Sequence, residues 1–217
     1  MVRWFNVLCR LLFRGLLKAF ADWHVYGREN LPWGEPFLVI ANHQSNLDPP
    51  LISVSLGRPA KYLAKGTLFE NPLSGFFFRH YGAFPINRDG RDLAGSKWAL
   101  EQLRAGEPLV IFPEGGRNPE GMEKALSGAA FLATKARVPV VPAGITGSGR
   151  LQPMWRVFFP TGSLTVTFGE PFSLPVGNER LNREKLDSLT ELMMIRVAQL
   201  LPIQDQGVYR EEPGAPK

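Results

Sequence analysis

Pro36-Phe37-Leu38-Val39-Ile40-Ala41-Asn42-His43-Gln44-Ser45-Asn46-Leu47-Asp48-Pro49-Pro50 changes character within a single residue. The apolar half, preceded by Gly34, reads as a short buried strand, because it is continuous, β-rich and bounded by breakers. The polar half leads into the apolar-rich Leu51 to Leu56. Asp48 with Pro49 behind it reads as a helix N-cap and first helical position. A histidine therefore stands just past a strand end, and a carboxylate stands at the start of the next helix. In layered α/β proteins that is where ligands bind. His43 and Asp48 lie about 140° apart on a single helix, so they would not share a face there. Across a strand-loop-helix turn they can meet. A carboxylate on one ring nitrogen fixes the tautomer and leaves the other free to take a proton from a hydroxyl. The competing reading is a structural histidine followed by an ordinary capping aspartate. The other two histidines, His24 and His80, sit in aromatic, apolar-rich surroundings that read as packing.

Working outward, further strands are predicted over 60–65, 82–86, 108–112, 138–143 and 164–168. Helices are predicted over 92–105, 123–136 and 181–201, with two short helices between Thr67 and Tyr81, broken by Pro72 and Gly75. The Phe76-Phe77-Phe78 run reads as core, with a lipid-facing groove as the other option. Strands alternating with helices predict an α/β fold with a mixed, mostly parallel sheet flanked by helices. Three units are expected: an N-terminal amphipathic membrane-associating helical segment over 1–23, one domain over 24–203, and a loose polar tail over 204–217.

The 217 residues carry a net charge of +5 and a pI near 9.6, which points to an anionic partner: nucleic acid, a membrane surface or a phosphorylated substrate. Cys9 is the single cysteine, so neither an internal disulfide nor a multi-cysteine zinc site can form. There is no His-Glu-x-x-His, no Walker loop, no internal repeat, and no aromatic-basic platform of the kind that binds nucleic acid. No metal site is expected.

In the N-terminal segment, Arg3, Arg10, Arg14 and Lys18 fall within about 80° of one another on a helix and form one basic stripe. Trp4, Phe5, Leu8, Leu11, Leu12, Phe13, Leu16, Leu17 and Phe20 cover most of the rest. The Leu, Phe and Val residues contribute roughly −3 to −5 kcal/mol to membrane insertion, and Arg10 with Arg14 costs about +5 to +7, so spanning loses. The same charges leave no uninterrupted apolar region for a secretory signal. Two readings stay open: a helix docked on the protein's own core, and an interfacial helix with its apolar face in lipid and its basic stripe at the headgroups.

Three strand ends present polar clusters: His43/Asp48, Arg88, and Glu114/Arg117, with Lys65 at the end of a fourth. With similarly directed strands these converge on one rim. Guanidinium groups suit bidentate phosphate recognition. Gly115-Gly116 lets backbone amides approach a ligand.

The motifs Asn42-His43-Gln44-Ser45-Asn46-Leu47-Asp48, Gly82-Ala83-Phe84-Pro85-Ile86-Asn87-Arg88, Phe112-Pro113-Glu114-Gly115-Gly116-Arg117-Asn118 and Val138-Pro139-Val140-Val141-Pro142 together resemble the four motifs of the bacterial 1-acylglycerol-3-phosphate acyltransferases, in the wider glycerolipid acyltransferase family. Lys65 is similar to a family lysine between the first two. The resemblance spans about residues 24–172, with Gly116 where Thr is usual and Asn118 where Ser is usual. It implies that His43 is a general base oriented by Asp48, that Arg88, Glu114, Gly115 and Arg117 with Lys65 bind the acceptor's glycerol phosphate, and that the fourth motif shapes the acyl side. The implied reaction is direct acyl transfer from acyl-CoA or acyl carrier protein to 1-acylglycerol 3-phosphate, giving phosphatidic acid. No cofactor is implied beyond the acyl donor. Other acceptors (glycerol 3-phosphate, a lysophospholipid, an ornithine-type lysolipid) and a non-catalytic membrane-binding role are the alternatives. Expected partners are the two substrates, an anionic membrane surface and acyl carrier protein, with no nucleic acid. The expected location is peripheral or monotopic, on the cytoplasmic face of the cell membrane. Ser45 as a nucleophile is disfavoured by the direct transfer that the family implies, and Cys9 by its place on the N-terminal helix.

Overall fold

A computed structural model of the chain describes residues 3–87, 92–175 and 181–210. Its framework is one seven-stranded sheet in the order β1-β7-β6-β2-β5-β3-β4. The strands are β1 (Ala21–Tyr26), β2 (Leu38–Ala41), β3 (Lys61–Lys65), β4 (Ala83–Ile86), β5 (Leu109–Ile111), β6 (Val140–Thr146) and β7 (Gly162–Phe168). Strands β6, β2, β5, β3 and β4 are mutually parallel; β7 runs antiparallel to β6, and β1 pairs parallel with β7. The sheet is thus mixed and mostly parallel, as its sequence predicts.

Among the described residues six α-helices flank it: α1 (Arg3–Phe20), α2 (Asp48–Leu56), α3 (Pro72–Tyr81), α4 (Leu93–Arg104), α5 (Gly128–Ala136) and α6 (Arg183–Ala198). Every residue of the central strand β2 is fully buried. Val39 and Ala41 pack into a core shared with Leu17, Leu51 and Ile52 of α1 and α2; Leu38 and Ile40 pack into a second core with Leu103, Leu132 and Val197 of α4, α5 and α6. A strand covered on both faces has no polar side, which is why it reads as a continuous apolar run.

Five expectations need correction. Asp48 is the first helical residue and Leu47 is the cap; the Asp48 carboxylate turns back toward the preceding loop instead of capping α2. Helix α5 starts at Gly128, not residue 123, because residues 123–127 form a loop whose Glu123 and Leu126 N–H groups bond Glu114 and Pro113. The boundary at residue 23 falls inside β1, a strand the sequence reading did not assign. Helix α1 runs straight into it, so the N-terminal helix is continuous with the sheet. Its His24 is exposed and paired with Asp22 at 2.8 Å rather than packed, whereas His80 does pack, against Phe5 and Phe76. Finally, residues 204–210 are not loose. Asp205 and Val208 exchange backbone hydrogen bonds with Met122, and the Tyr209 hydroxyl accepts from the Ala125 N–H at 2.9 Å. The rest of the expected tail, 211–217, lies outside the described residues.

Helix α1 is docked on the protein's own core along one face and exposed along the other. Asn6, Phe13 and Leu17 are buried, and Arg10, counted in the basic stripe, turns inward to donate from Nε to the Ser53 carbonyl at 3.1 Å. The opposite face leaves Trp4, Leu8, Leu11 and Leu12 exposed, with Arg14 and Lys18 also exposed. The phenylalanine run of α3 splits likewise: Phe78 packs against Phe69, while Phe76 and Phe77 are exposed. Among the described residues, no helix is long and apolar enough to cross a membrane.

Candidate active site

Because β2, β5, β3 and β4 are parallel neighbours, their carboxyl ends lie along one edge of the sheet. His43 follows β2, Glu114 follows β5, and Lys65 ends β3. Arg88, expected after β4, lies outside the described residues.

His43 is held on all sides. Its Nδ1 meets Asp48 Oδ2 at 2.8 Å, its backbone N–H donates to Glu114 Oε1 at 2.9 Å, and its carbonyl accepts from the Asn118 N–H at 2.7 Å. The Phe112 ring stacks on the imidazole with centroids 4.3 Å apart. Asp48 is completely buried, and the same Oδ2 also accepts from the Gln44 and Ser45 N–H groups at 2.6 and 2.8 Å. That tight turn lets residues five apart meet, and it explains why Asp48 does not cap its helix. A carboxylate oxygen is an acceptor, so the proton of the His43–Asp48 bond sits on Nδ1 and Nε2 carries the lone pair.

Asn42 anchors the base of the loop. Its Nδ2 donates to the Ile145 carbonyl at 2.9 Å, and its Oδ1 accepts from the Ile145 N–H at 2.7 Å. One side chain thus extends the β2–β6 pairing just before His43. The fourth motif forms the buried first part of β6, where Val140 and Val141 pair with Leu38 and Val39.

Glu114 does something the sequence does not announce. Besides taking the His43 N–H, its Oε2 accepts from Asn118 Nδ2 at 2.6 Å and from the Glu123 N–H at 2.8 Å. Burial pushes this carboxyl up from its ordinary range, and these hydrogen bonds pull it partly back. It is a clamp between two loops. Gly115 beside it has φ +69°, a left-handed conformation that glycine adopts without strain, and a Cβ there would press on the Leu126 side chain at 3.0 Å.

The cations differ. Arg117 is exposed on the loop after β5. Lys65 is exposed at the end of β3 and lines a groove of about 350 Å3 with Thr67, Glu70, Ile86 and Asn87. Lys65 pairs in register with Ile86 of β4. Ser45 is fully buried, its Oγ accepting from the Leu47 N–H at 3.0 Å, which fits a structural role better than nucleophilic attack. Phe112 and Asn118 bound the third motif, but their sequence gives no role for either; the stack on His43 and the bonds to His43 and Glu114 supply one.

A family model described as "Acyltransferase" matches residues 22–146. A 1-acyl-sn-glycerol-3-phosphate acyltransferase of Bacillus subtilis is 30% identical over 199 residues, covering 91% of this chain and 98% of that protein. The Streptococcus pneumoniae protein of the same description is 25% identical over 170 residues, covering 76% and 61%. Among solved structures, the 1-acyl-sn-glycerophosphate acyltransferase PlsC of Thermotoga maritima superposes with a TM-score of 0.70 at 27% identity, covering 90% of this chain and 79% of that one. The family match covers more than half of the chain, and it contains His43, Asp48 and the clamp at Glu114: this protein belongs to the acyltransferase family.

Proposed function

We propose that this acyltransferase moves a fatty acyl group from an acyl thioester to the free hydroxyl of 1-acylglycerol 3-phosphate, producing phosphatidic acid for phospholipid synthesis. The observation that carries the chemistry is the 2.8 Å contact between His43 Nδ1 and the buried Asp48 carboxylate. His43 Nε2 takes the hydroxyl proton as the acceptor oxygen attacks the thioester carbonyl. Asp48 stabilises the imidazolium that forms, the C–S bond breaks, and the leaving thiolate recovers the proton from His43. Positioned general-base help of this kind is worth roughly 10²–10⁴ in rate. Lys65, Arg88 and Arg117 are the cations that hold the acceptor's phosphate. Glu114 acts through its hold on His43 rather than by touching that phosphate, and Gly115 gives the loop its turn. The mechanism calls on no metal and no cofactor beyond the donor, either acyl-CoA or acyl carrier protein.

The acceptor is an amphiphile, and α1 fits a place at the bilayer. Its exposed face, with Trp4, Leu8, Leu11 and Leu12, enters the lipid interface, and Arg14 and Lys18 meet anionic headgroups. This supports a peripheral or monotopic location on the cytoplasmic face of the cell membrane.

The test is thiol release by wild type and His43→Ala with oleoyl-CoA, offering 1-acylglycerol 3-phosphate, glycerol 3-phosphate or a lysophospholipid lacking the phosphate monoester, and then acyl carrier protein thioesters. Release that requires 1-acylglycerol 3-phosphate and disappears in the variant is expected. Preference for another acceptor would overturn the substrate assignment.

A further inference from the structure

The segment joining β6 to β7 is unaccounted for by the reaction, yet it puts Met154, Trp155, Phe158 and Phe159 on the surface, each about half exposed or more. They belong to one 3-10 turn, Met154–Val157, and the two residues after it. Large aromatic groups in water are costly, and a compact cluster of them marks an interaction surface.

We propose that Met154–Phe159 is a second lipid-contact element, seated on the same bilayer as α1 and fixed to the loop that carries His43. This rests on the acceptor being a membrane lipid, as proposed above. Three observations carry it. First, the turn is continuous with the exposed side of α1: the Phe159 ring lies 5.5 Å from Phe20 at the end of that helix, and Trp155 lies 6.3 Å from Phe159. Secondly, cations flank it and suit anionic headgroups. Arg156 lies over the Trp155 ring at 4.9 Å while Nη1 donates to Thr161, Arg150 is exposed on the stem just before the turn, and Lys18 is exposed just before Phe20, the α1 residue that meets Phe159. A tryptophan with a cation beside it is a side-chain combination that settles at the membrane–water interface.

Thirdly, the stem of the turn is bonded to the catalytic loop itself. Gln152 Nε2 donates to the Gln44 carbonyl at 2.8 Å and its own carbonyl accepts from Asn46 Nδ2 at 3.4 Å, while Ser148 Oγ donates to Gln44 Oε1 at 3.2 Å. Gln44 and Asn46 are two of the four residues between His43 and Asp48. An aromatic turn on this stem brings the lipid surface to the mouth of the site from which the acceptor must be taken. Helix α1 alone, joined to the sheet through β1, has no such bond to the His43 loop among those described.

The experiment uses the full chain and vesicles of phosphatidylglycerol with phosphatidylcholine, read by co-sedimentation. The double variant Trp155→Ser, Phe158→Ser removes exposed groups only, and thermal melting checks that it keeps the wild-type fold. A loss of roughly tenfold or more in vesicle partition is expected. Partition equal to wild type would overturn the proposal and leave the cluster for a protein partner. The second measurement places an environment-sensitive fluorophore on Cys9→Ser, Phe158→Cys. A blue-shifted emission on vesicles is expected, and an unchanged spectrum would overturn the proposal even if the double variant failed to fold. Neither readout needs turnover, so failure to acylate 1-acylglycerol 3-phosphate would break the proposed function and leave this result standing.

Discussion

The two halves of the site are built on opposite principles. At His43 and Asp48 the holding is close: a fully buried carboxylate, two backbone donors to one oxygen, a carboxylate clamp on the backbone and a stacked phenyl ring. At Lys65 and Arg117 the charged groups stand in solvent at the ends of strand and loop. Proton transfer succeeds or fails on tenths of an ångström, so its partners are preorganised. Capture of a phosphate is a matter of charge and hydrogen-bond number, and long cationic side chains can order around the ligand when it arrives. On the proposed assignment, rigidity lies where the bond is made and freedom where the substrate is caught.

Removal of the fixed half should cost most. His43→Ala is expected to lower turnover by at least about a hundredfold with the melting temperature nearly unchanged. Near-normal turnover by the folded variant would break the distinction at its base. Asp48→Ala should lose comparable activity and also stability, about 1–3 kcal/mol for each buried N–H left without a partner, seen as a lower urea midpoint. If it loses activity alone, the turn holds itself and Asp48 serves only the imidazole.

On the loose half, Arg117→Ala is expected to raise the acceptor KM by roughly tenfold, the worth of a hydrogen bond to a charged group, while the donor KM and stability hold. Equal changes for both substrates would remove Arg117 from the phosphate. Glu114→Gln sharpens the comparison, because the amide cannot accept with both ends. It should lower kcat by several fold without raising the acceptor KM. A KM effect alone would move Glu114 to the substrate-catching half.

The smallest effect is one of pH. Burial holds the Glu114 carboxyl above its ordinary value of 4.5, so the folded chain binds this proton more tightly than the unfolded one. Raising the pH upward from 4.5 through the folded value therefore removes stability on this account. Urea midpoints across that window should fall less steeply in Glu114→Gln than in wild type. Parallel curves would show that the three hydrogen bonds offset burial fully.

The same contrast explains what could be read from the chain. Buried strands and motif order are local, and Leu38 to Ala41 or Leu109 to Ile111 announce themselves by apolar runs. The convergence of their ends follows from parallel pairing, which alternating strands and helices imply. Strand β1 is hard to read although Asp22, His24 and Tyr26 alternate outward, because it follows an apolar helix without a breaker. Asp48 before Pro49 reads as a cap because aspartate is a favoured capping residue, and only the turn's closure onto Gln44 and Ser45 competes with that use. Glu114 as a clamp was beyond reach: its partners His43 and Glu123 come from distant parts of the chain, and nothing local distinguishes an acceptor for two loops from a ligand for substrate.

The pairing of β1 with β7 also sets an order of events during synthesis. Ala21 finds its partner at Gly162, so the strand following α1 cannot join the sheet until most of the chain has been made. At about 5–20 residues per second that interval is roughly ten seconds. Until then α1 has only β1 and the earlier-made α2 and α3 to pack against, while Leu11 and Leu12 stay exposed even in the finished fold. A nascent chain carrying such a helix therefore completes the edge of its sheet last, when β7 arrives to receive β1.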